Sequence, residues 1–308
     1  MHGKGYCSGF YDCSRYFCAI TLLIMMMTEI TLGQPWAYPP DIPTAVTRTY
    51  KTVDDIALKV WIFYPADHKE GDRRPAVVFF FGGGWRTGSP LQFAKHCEYL
   101  SRRGMVAMAA DYRVSSRHGV MVNSCIADAK AAVRWIRKHA DELGVDPERI
   151  AAAGGSAGGH LAAATATVPG SDNAGDGAST SARPDALILF NPAIPVDGIW
   201  QPELKGRFAG DWSDISPYHH LTSSAGPAII FHGTADDHVP FKAMEQFCKK
   251  MHELGNRCEL VGYKGEKHAF FNYGRGDNAA FIDTVQRMDA FLVSLGYLKA
   301  PPETVHIK

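Results

Sequence analysis

The sequence predicts an α/β fold with a mainly parallel central sheet and helices on both faces. Continuous apolar runs at 76–81, 106–110 and 186–190 indicate strands that are buried on both sides, as in parallel sheets. Stretches with helical apolar spacing separate these runs, and 128–140 is the clearest of them. Alternation of the two patterns is typical of a parallel sheet built from strand–helix–strand units.

The individual elements follow the same two signals along the chain. Strands are predicted at 57–64, 76–81, 106–110, 150–153, 186–190, 228–231 and 258–263, and helices at 128–140, 156–167, 240–254 and 279–295. The stretch 170–184 is rich in small and polar residues and predicts a surface loop. The stretch 191–216 has no clear period, and its aromatic side chains are candidates for a pocket lining: Trp200, Phe208 and Trp212.

Composition bounds the classes of function. The chain has 308 residues, 46% hydrophobic and 21% charged, with a formal net charge of zero. It carries no long cationic run, so a nucleic-acid partner is not predicted, and a neutral small molecule or polymer is favoured instead. No Cys-x-x-Cys or His-x-x-x-His pattern occurs, so neither a metal nor a cofactor is predicted. No linker divides the residues after 33, which indicates one domain over 34–308.

The first 33 residues have the character of a secretory signal peptide. Lys4 and Arg15 precede an apolar stretch at 17–27, and small residues follow at 31 and 33. The apolar stretch is about half of the roughly 20 residues that a membrane-spanning helix needs, so no integral span is predicted. Secretion or a periplasmic location is therefore expected. The alternative is a start codon at one of the methionines 25–27 and a cytoplasmic protein.

Four cysteines lie beyond this segment. Cys248 falls late in a predicted helix and Cys258 opens the next predicted strand, so the two could pair in an exported protein. Four buried free thiols, with Cys97 and Cys125, are the alternative.

The strongest chemical signal is the motif Gly-Gly-Ser-Ala-Gly-Gly around Ser156. It matches G-x-S-x-G between a predicted strand and a predicted helix, which is the context of a nucleophilic serine on a tight turn. Glycines let the neighbouring backbones approach, and the helix N-terminus favours a developing negative charge.

A second motif, Phe-Gly-Gly-Gly-Trp at 81–85, follows the buried strand 76–81. Its backbone N–H groups can point into a cavity, as acyl transfer requires of an oxyanion hole. Gly83, Gly84 and Ala157 are the predicted donors. The motif has neither the spacing nor the Lys-Ser/Thr of a phosphate-binding loop.

Asp236 and His268 complete a Ser–Asp–His order. Each follows a predicted strand, so both are expected at the sheet edge that carries Ser156. His268 is the predicted general base and Asp236 the acid that orients it. Asp237 is an alternative acid by a slip of one residue. His160 and His232 are interpreted as structural, the latter as a brace for the loop of Asp236.

These motifs together resemble the hormone-sensitive-lipase-like α/β-hydrolases. The elbow Gly-Gly-Ser-Ala-Gly-Gly-His resembles in particular small esterases that remove acetyl or feruloyl groups from plant polysaccharides. The resemblance covers about 57–295 and extends to Asp111-Tyr112-Arg113 and Asp128, which it marks as scaffold positions. It implies an α/β-hydrolase fold and a serine esterase that acts through an acyl-enzyme.

Two departures from the family refine the expectation. The family usually has histidine where Phe81 stands, so other groups must brace the glycine loop. Many lipase-like relatives carry an acidic residue where Gly155 stands, which favours the polysaccharide-esterase subgroup. The segment between 34 and the first strand near 47 is too short for a two-helix cap, so an open site without a large cap domain is expected. We therefore expect hydrolysis of short acyl esters, with acetylated carbohydrate of the xylan type as the candidate substrate. The alternatives are a serine peptidase or amidase and a non-catalytic binding protein on the same scaffold.

Overall fold

The computed structural model describes residues 1, 38–170, 179–199 and 206–300. The described residues from 38 onward fall in one compact unit. The predicted signal peptide lies, apart from Met1, outside the described residues, so its cleavage and the location of the protein stay predictions. Among the helices that are described, none is both long and apolar enough to cross a membrane.

Eight strands form the central sheet: β1 (Val46–Val53), β2 (Ile56–Phe63), β3 (Arg74–Phe80), β4 (Val106–Ala110), β5 (Val145–Gly155), β6 (Ala186–Phe190), β7 (Ala228–Gly233) and β8 (Cys258–Tyr263). Their spatial order is β1-β2-β4-β3-β5-β6-β7-β8. β2 pairs antiparallel with β1 and with β4, and every other neighbouring pair is parallel. The prediction of a mainly parallel sheet is confirmed.

Six α-helices are described: α1 (Ala94–Arg102), α2 (Ser115–His118), α3 (Val122–Lys138), α4 (Ala157–Thr167), α5 (Phe241–Glu253) and α6 (Ala279–Ser294), with 3₁₀ turns at Pro90–Phe93 and Trp212–Ile215. They cover both faces of the sheet, because alternate residues of β3 enter two separate buried clusters. Phe80 belongs to the cluster that holds side chains of α3, α4 and α5, whereas Phe79 belongs to the cluster that holds those of α1 and α6. This arrangement confirms the α/β-hydrolase fold class.

The edge strand and one helix differ from the expectation. β1 was expected only as a first strand near 47, without bounds, because Tyr50 is its one buried side chain and no apolar alternation marks it. α1 was missed because its buried face includes His96 and Tyr99 in place of an aliphatic stripe. The predicted start of helix 128–140 is also too late, since α3 begins at Val122.

Two details of the scaffold bear on the earlier alternatives. Cys248 and Cys258 form a disulfide between α5 and β8, while Cys97 and Cys125 are buried free thiols. Asp128, fully buried on α3, accepts hydrogen bonds from Arg113 Nε (2.8 Å) and Nη2 (2.9 Å) and pairs with Lys51 at 3.0 Å. Asp128 and Arg113 therefore fix the segment that follows β4, which is the scaffold role that the resemblance implied.

Candidate active site

Ser156 follows the last residue of β5 and forms the N-terminal cap of α4. Its backbone is strained, with φ at 52° and ψ at −118°. Three hydrogen bonds hold this conformation: Ser156 N–H donates to the Phe190 carbonyl (2.9 Å), and the Ser156 carbonyl accepts from His160 N–H (3.0 Å) and Ala193 N–H (2.9 Å). The strained turn thus holds Ser156 at the carboxyl end of the sheet.

The glycines around Ser156 are required by space. A Cβ on Gly154 would lie 2.4 Å from the Gly158 carbonyl oxygen. A Cβ on Gly158 would lie 2.0 Å from the Phe80 carbonyl oxygen, which is far inside van der Waals contact. Strand, turn and helix approach one another here too closely for any side chain, as the motif predicted.

His268 joins Ser156 to Asp236. Its Nε2 lies 2.9 Å from Ser156 Oγ, and its Nδ1 lies 2.7 Å from Asp236 Oδ2. Because a carboxylate only accepts hydrogen bonds, Nδ1 carries the ring proton and Nε2 is free to accept from the serine hydroxyl. The three side chains come from the ends of β5, β7 and β8, and the structure brings them into one hydrogen-bonded row.

Asp236 is held as a carboxylate. Its Oδ1 accepts backbone N–H groups of His238 and Val239, both at 2.9 Å. Burial alone would raise the pKa of the Asp236 carboxyl, but hydrogen bonds with His232, His268 and the Val239 N–H hold that pKa well below its usual range. Asp236 therefore stays ionised beside His268.

His232 and Asp237 lie next to this carboxylate, and the structure gives each of them a different role from Asp236. His232 is fully buried, and its Nε2 lies 2.8 Å from the Val239 carbonyl and 3.3 Å from Asp236 Oδ2. It braces the loop of Asp236, as expected. Asp237 is exposed and pairs with His238 Nδ1 at 2.8 Å, so the structure brings Asp236 and not Asp237 to His268.

The glycine loop approaches the serine from the end of β3. Gly83 and Gly84 have φ values of +124° and +61°, which side-chain-bearing residues rarely adopt. The Gly83 carbonyl accepts N–H groups of Arg86 and Thr87 at 3.1 Å. Within the described part of the chain, the N–H groups of Gly83, Gly84 and Ala157 have no protein acceptor. Three backbone N–H groups of the kind that an oxyanion hole uses are thus left without a protein acceptor.

Comparisons with known proteins agree with this geometry. The family models BD-FAE and Dienelactone hydrolase family match residues 61–186 and 198–295. Esterase 2 of Thermogutta terrifontis phosphorylated by paraoxon is 52% identical with a TM-score of 0.82, and the match covers 86% of this chain and 99% of that chain. The chain belongs to the hormone-sensitive-lipase-like α/β-hydrolase esterases. This is a family of serine carboxylic ester hydrolases.

A second structure of the same esterase and one curated relative show the same likeness. The butyrate-bound form of Thermogutta terrifontis esterase 2 is 50% identical with a TM-score of 0.82, and the match covers 86% of this chain and 99% of that one. Esterase LipC of Mycobacterium tuberculosis (strain ATCC 25618 / H37Rv) is 30% identical over 220 residues, which is 64% of this chain and 53% of LipC. The chain spans about half the length of the curated relatives it matches first.

Two side chains brace the esterase's glycine loop: Tyr112, which the resemblance marked as a scaffold position, and Gln92, which sequence reasoning missed. Tyr112 donates its hydroxyl hydrogen to the Phe81 carbonyl at 2.7 Å and stacks on the Phe81 ring at 4.1 Å between centroids. Gln92 Oε1 accepts the Gly82 N–H at 2.6 Å, and Gln92 Nε2 donates to Asn272 Oδ1 at 2.9 Å. These groups supply the bracing for which the family usually has a histidine at position 81.

Asn191 is a second residue that the sequence did not single out. It directly follows β6, and its Oδ1 accepts the Ala269 N–H at 2.9 Å. Its Nδ2 lies 3.5 Å from His268 Nε2, so the amide sits against the edge of the imidazole. Its position after a strand end, like those of Ser156 and Asp236, was the available signal.

The stretch that follows β6 lies partly outside the described residues, which include neither Trp200 nor 201–205. Phe208 is buried and packs edge-on against Trp85, with centroids 5.6 Å apart. His160, also buried, contacts Trp85 edge-on at 5.2 Å and places Nε2 2.9 Å from the Ile215 carbonyl. Burial lowers the pKa of His160 to about 4, so it packs as a neutral ring and is structural, as interpreted from the sequence.

Among the described residues, Asp236, Asp237 and His238 place possible metal-ligand atoms within 4.8 Å of one another. Each is already engaged by protein groups. Asp236 accepts from His268, His238 N–H and Val239 N–H, and Asp237 pairs with the His238 ring. These hydrogen bonds fix the conformation of the loop that carries Asp236.

Proposed function

We propose that the chain hydrolyses carboxylic esters through an acyl-enzyme on Ser156. His268 acts as general base and then as general acid, Asp236 orients His268, and the N–H groups of Gly83, Gly84 and Ala157 stabilise the oxyanion. The observation that carries the proposal is the row of hydrogen bonds from Ser156 Oγ to His268 (2.9 Å) and from His268 to Asp236 (2.7 Å).

The first half-reaction follows from these positions. His268 Nε2 takes the Ser156 hydroxyl proton as Oγ bonds to the carbonyl carbon of the ester, and the carbonyl electron pair moves onto oxygen. The three N–H groups stabilise this oxyanion. The tetrahedral intermediate collapses, the bond to the alcohol oxygen breaks, and His268 returns its proton to that oxygen. An acyl ester of Ser156 and a free alcohol remain.

The second half-reaction repeats these steps with water. His268 takes a proton from water as the water oxygen bonds to the acyl carbon. Collapse of the second intermediate releases the carboxylic acid, and His268 returns the proton to Ser156 Oγ. The ionised Asp236 stabilises the imidazolium in both halves without itself taking a proton.

Short acyl groups are the proposed substrate class, with acetylated carbohydrate as the natural candidate. The relative at about half identity has been obtained with propionate and with butyrate bound, which supports a small acyl pocket. The resemblance of the elbow sequence to small polysaccharide esterases supports the carbohydrate alcohol. The same relative is phosphorylated by paraoxon, so we expect Ser156 to react with organophosphorus esters.

The test of the mechanism is Ser156→Ala, assayed with p-nitrophenyl acetate and with a fluorophosphonate probe. We expect a loss of turnover of at least about 10³-fold and no labelling. Ser223→Ala, which alters an exposed serine, is the matched control and should keep full activity. Unchanged turnover in Ser156→Ala would remove the mechanism.

The substrate proposal needs separate measurements. Turnover should fall as the p-nitrophenyl ester is lengthened from acetate to octanoate, and acetylated xylo-oligosaccharides should release acetate. Turnover of aminoacyl amides above that of the matched esters would favour the peptidase or amidase alternative. Failure of the wild-type protein to take up the fluorophosphonate would favour a non-catalytic binding protein.

A further inference from the structure

Arg207 lies directly against the glycine loop. Its Nη1 donates to the Gly84 carbonyl oxygen at 3.0 Å, and a Cβ placed on Gly84 would lie 2.6 Å from the same nitrogen. The Gly84 N–H is one of the three proposed oxyanion donors. A guanidinium therefore contacts the same glycine that offers a proposed oxyanion donor.

The charge of Arg207 has no carboxylate partner within 4.0 Å among the described residues. Burial lowers the pKa of Arg207, and the neighbouring Arg86 lowers it further. Arg86 likewise has no carboxylate partner in the described ranges. By contrast, several other arginines of the chain pair with acids at 2.5 to 3.2 Å: Arg74, Arg103, Arg113, Arg137 and Arg149. Within the part of the chain that the structure describes, the two cations beside the glycine loop therefore have no compensating carboxylate.

We propose that Arg207, with Arg86 beside it, binds a negatively charged group of the ester substrate. The inference rests on the proposed function and specifies its substrate as an ester whose alcohol or acyl half carries a carboxylate. One nitrogen of the guanidinium is used by the Gly84 carbonyl, and the planar fork keeps further N–H donors for a carboxylate. An anion there also relieves the mutual repulsion of the two arginines.

Matched pairs of esters test the charge directly. 4-Acetoxybenzoate against 4-acetoxybenzamide places the charge in the alcohol half, and monomethyl succinate against methyl butyrate places it in the acyl half. For one of the pairs, the wild-type protein should prefer the anionic ester in kcat/KM, and Arg207→Gln should lower that preference by about tenfold, the effect of one close and partly solvated charge pair. Arg86→Gln should lower it less. Raising NaCl to about 0.5 M should reduce the preference in the wild type.

The control removes the same charge elsewhere. Arg183→Gln alters an exposed arginine three residues before β6, at the opposite end of the sheet, and should leave the preference unchanged. If Arg207 only braces the Gly84 carbonyl, Arg207→Gln will lower kcat for anionic and neutral esters by the same factor, and the proposal is overturned. An absence of preference in both wild-type pairs also overturns it. If the wild-type protein hydrolysed none of the four esters, the esterase function itself would be refuted. This outcome separates the failure of the proposed function from the failure of the charge preference.

Discussion

Asp236→Asn tests the proposed mechanism at the atom on which the tautomer of His268 depends. Oδ1 of Asp236 accepts two backbone N–H groups, from His238 and Val239 at 2.9 Å. In the variant the amide oxygen must occupy this position, because an NH₂ group there would face two donors. The amide nitrogen then faces His268 Nδ1 in place of the carboxylate oxygen that lies there at 2.7 Å.

The replacement of an acceptor by a donor opposite His268 Nδ1 determines how much activity Asp236→Asn should lose. A donor opposite His268 Nδ1 forces that nitrogen to accept, so the ring proton moves to Nε2, and the ring can no longer take the Ser156 proton. Loss of the correct tautomer in this kind of triad costs about 10⁴-fold in kcat. At 1.36 kcal/mol for each factor of ten, this is about 5 kcal/mol of transition-state stabilisation.

The assay compares Asp236→Asn with Asp237→Asn. Both variants remove one carboxylate charge from the same loop. Asp237, however, is exposed, and its partner is His238 and not His268. We expect initial rates on p-nitrophenyl acetate to fall by about 10³- to 10⁴-fold in the first variant and by less than about twofold in the second. Thermal unfolding followed by circular dichroism checks that both are folded. If folded Asp236→Asn kept a tenth of the wild-type rate, the orienting role of Asp236 would be refuted.

Three further predictions concern stability. Gly158→Ala places a Cβ 2.0 Å from a β3 carbonyl and should lower the free energy of unfolding by about 3 kcal/mol or more, whereas Gly206→Ala meets open space and should change it little; urea titration compares them. Reducing the Cys248–Cys258 disulfide, which closes a short loop, should cost about 3 kcal/mol in the same titration, and an unchanged midpoint would contradict this. Burial raises the pKa of Asp111 from 3.8 to about 6, so its ionisation opposes folding as the pH rises through that range. The unfolding free energy of Asp111→Asn should therefore gain on the wild type by up to about 3 kcal/mol from pH 4 to pH 7, and a constant difference would contradict the shift.

The part of the fold that the sequence predicts well is the buried parallel sheet. β4 and β6 have the predicted limits, because an apolar run bounded by polar or turn residues marks a strand buried on both faces. β8 also has the predicted limits, although it lies at the sheet edge and only Cys258 in it is fully buried. β1 carries no such mark, since it lies at the sheet edge with mostly exposed side chains. Its position is determined by pairing with β2, a contact that the local pattern of residues does not encode.

The residues of the candidate site also fall into those that the sequence predicts and those that it does not. Ser156, Asp236 and His268 each follow a strand within a short motif, so local patterns were enough to select them. Gln92 and Asn272 were missed because they meet across 180 positions of the chain, and neither stands in a motif. Groups that react are marked by local sequence in this chain, whereas groups that position them are marked by tertiary contact.

These positioning contacts join the two halves of the proposed catalytic apparatus. From Gly82 in the glycine loop, hydrogen bonds lead through Gln92 to Asn272, whose Nδ2 donates to the Ala269 carbonyl at 3.1 Å. The Ala269 N–H donates in turn to Asn191, whose amide lies at the edge of His268. The loop that offers the oxyanion donors and the loop that carries the base are therefore tied through the same side chains. Because both must hold their positions within a fraction of an ångström for acyl transfer, one continuous network constrains the two loops together better than separate contacts to the scaffold would.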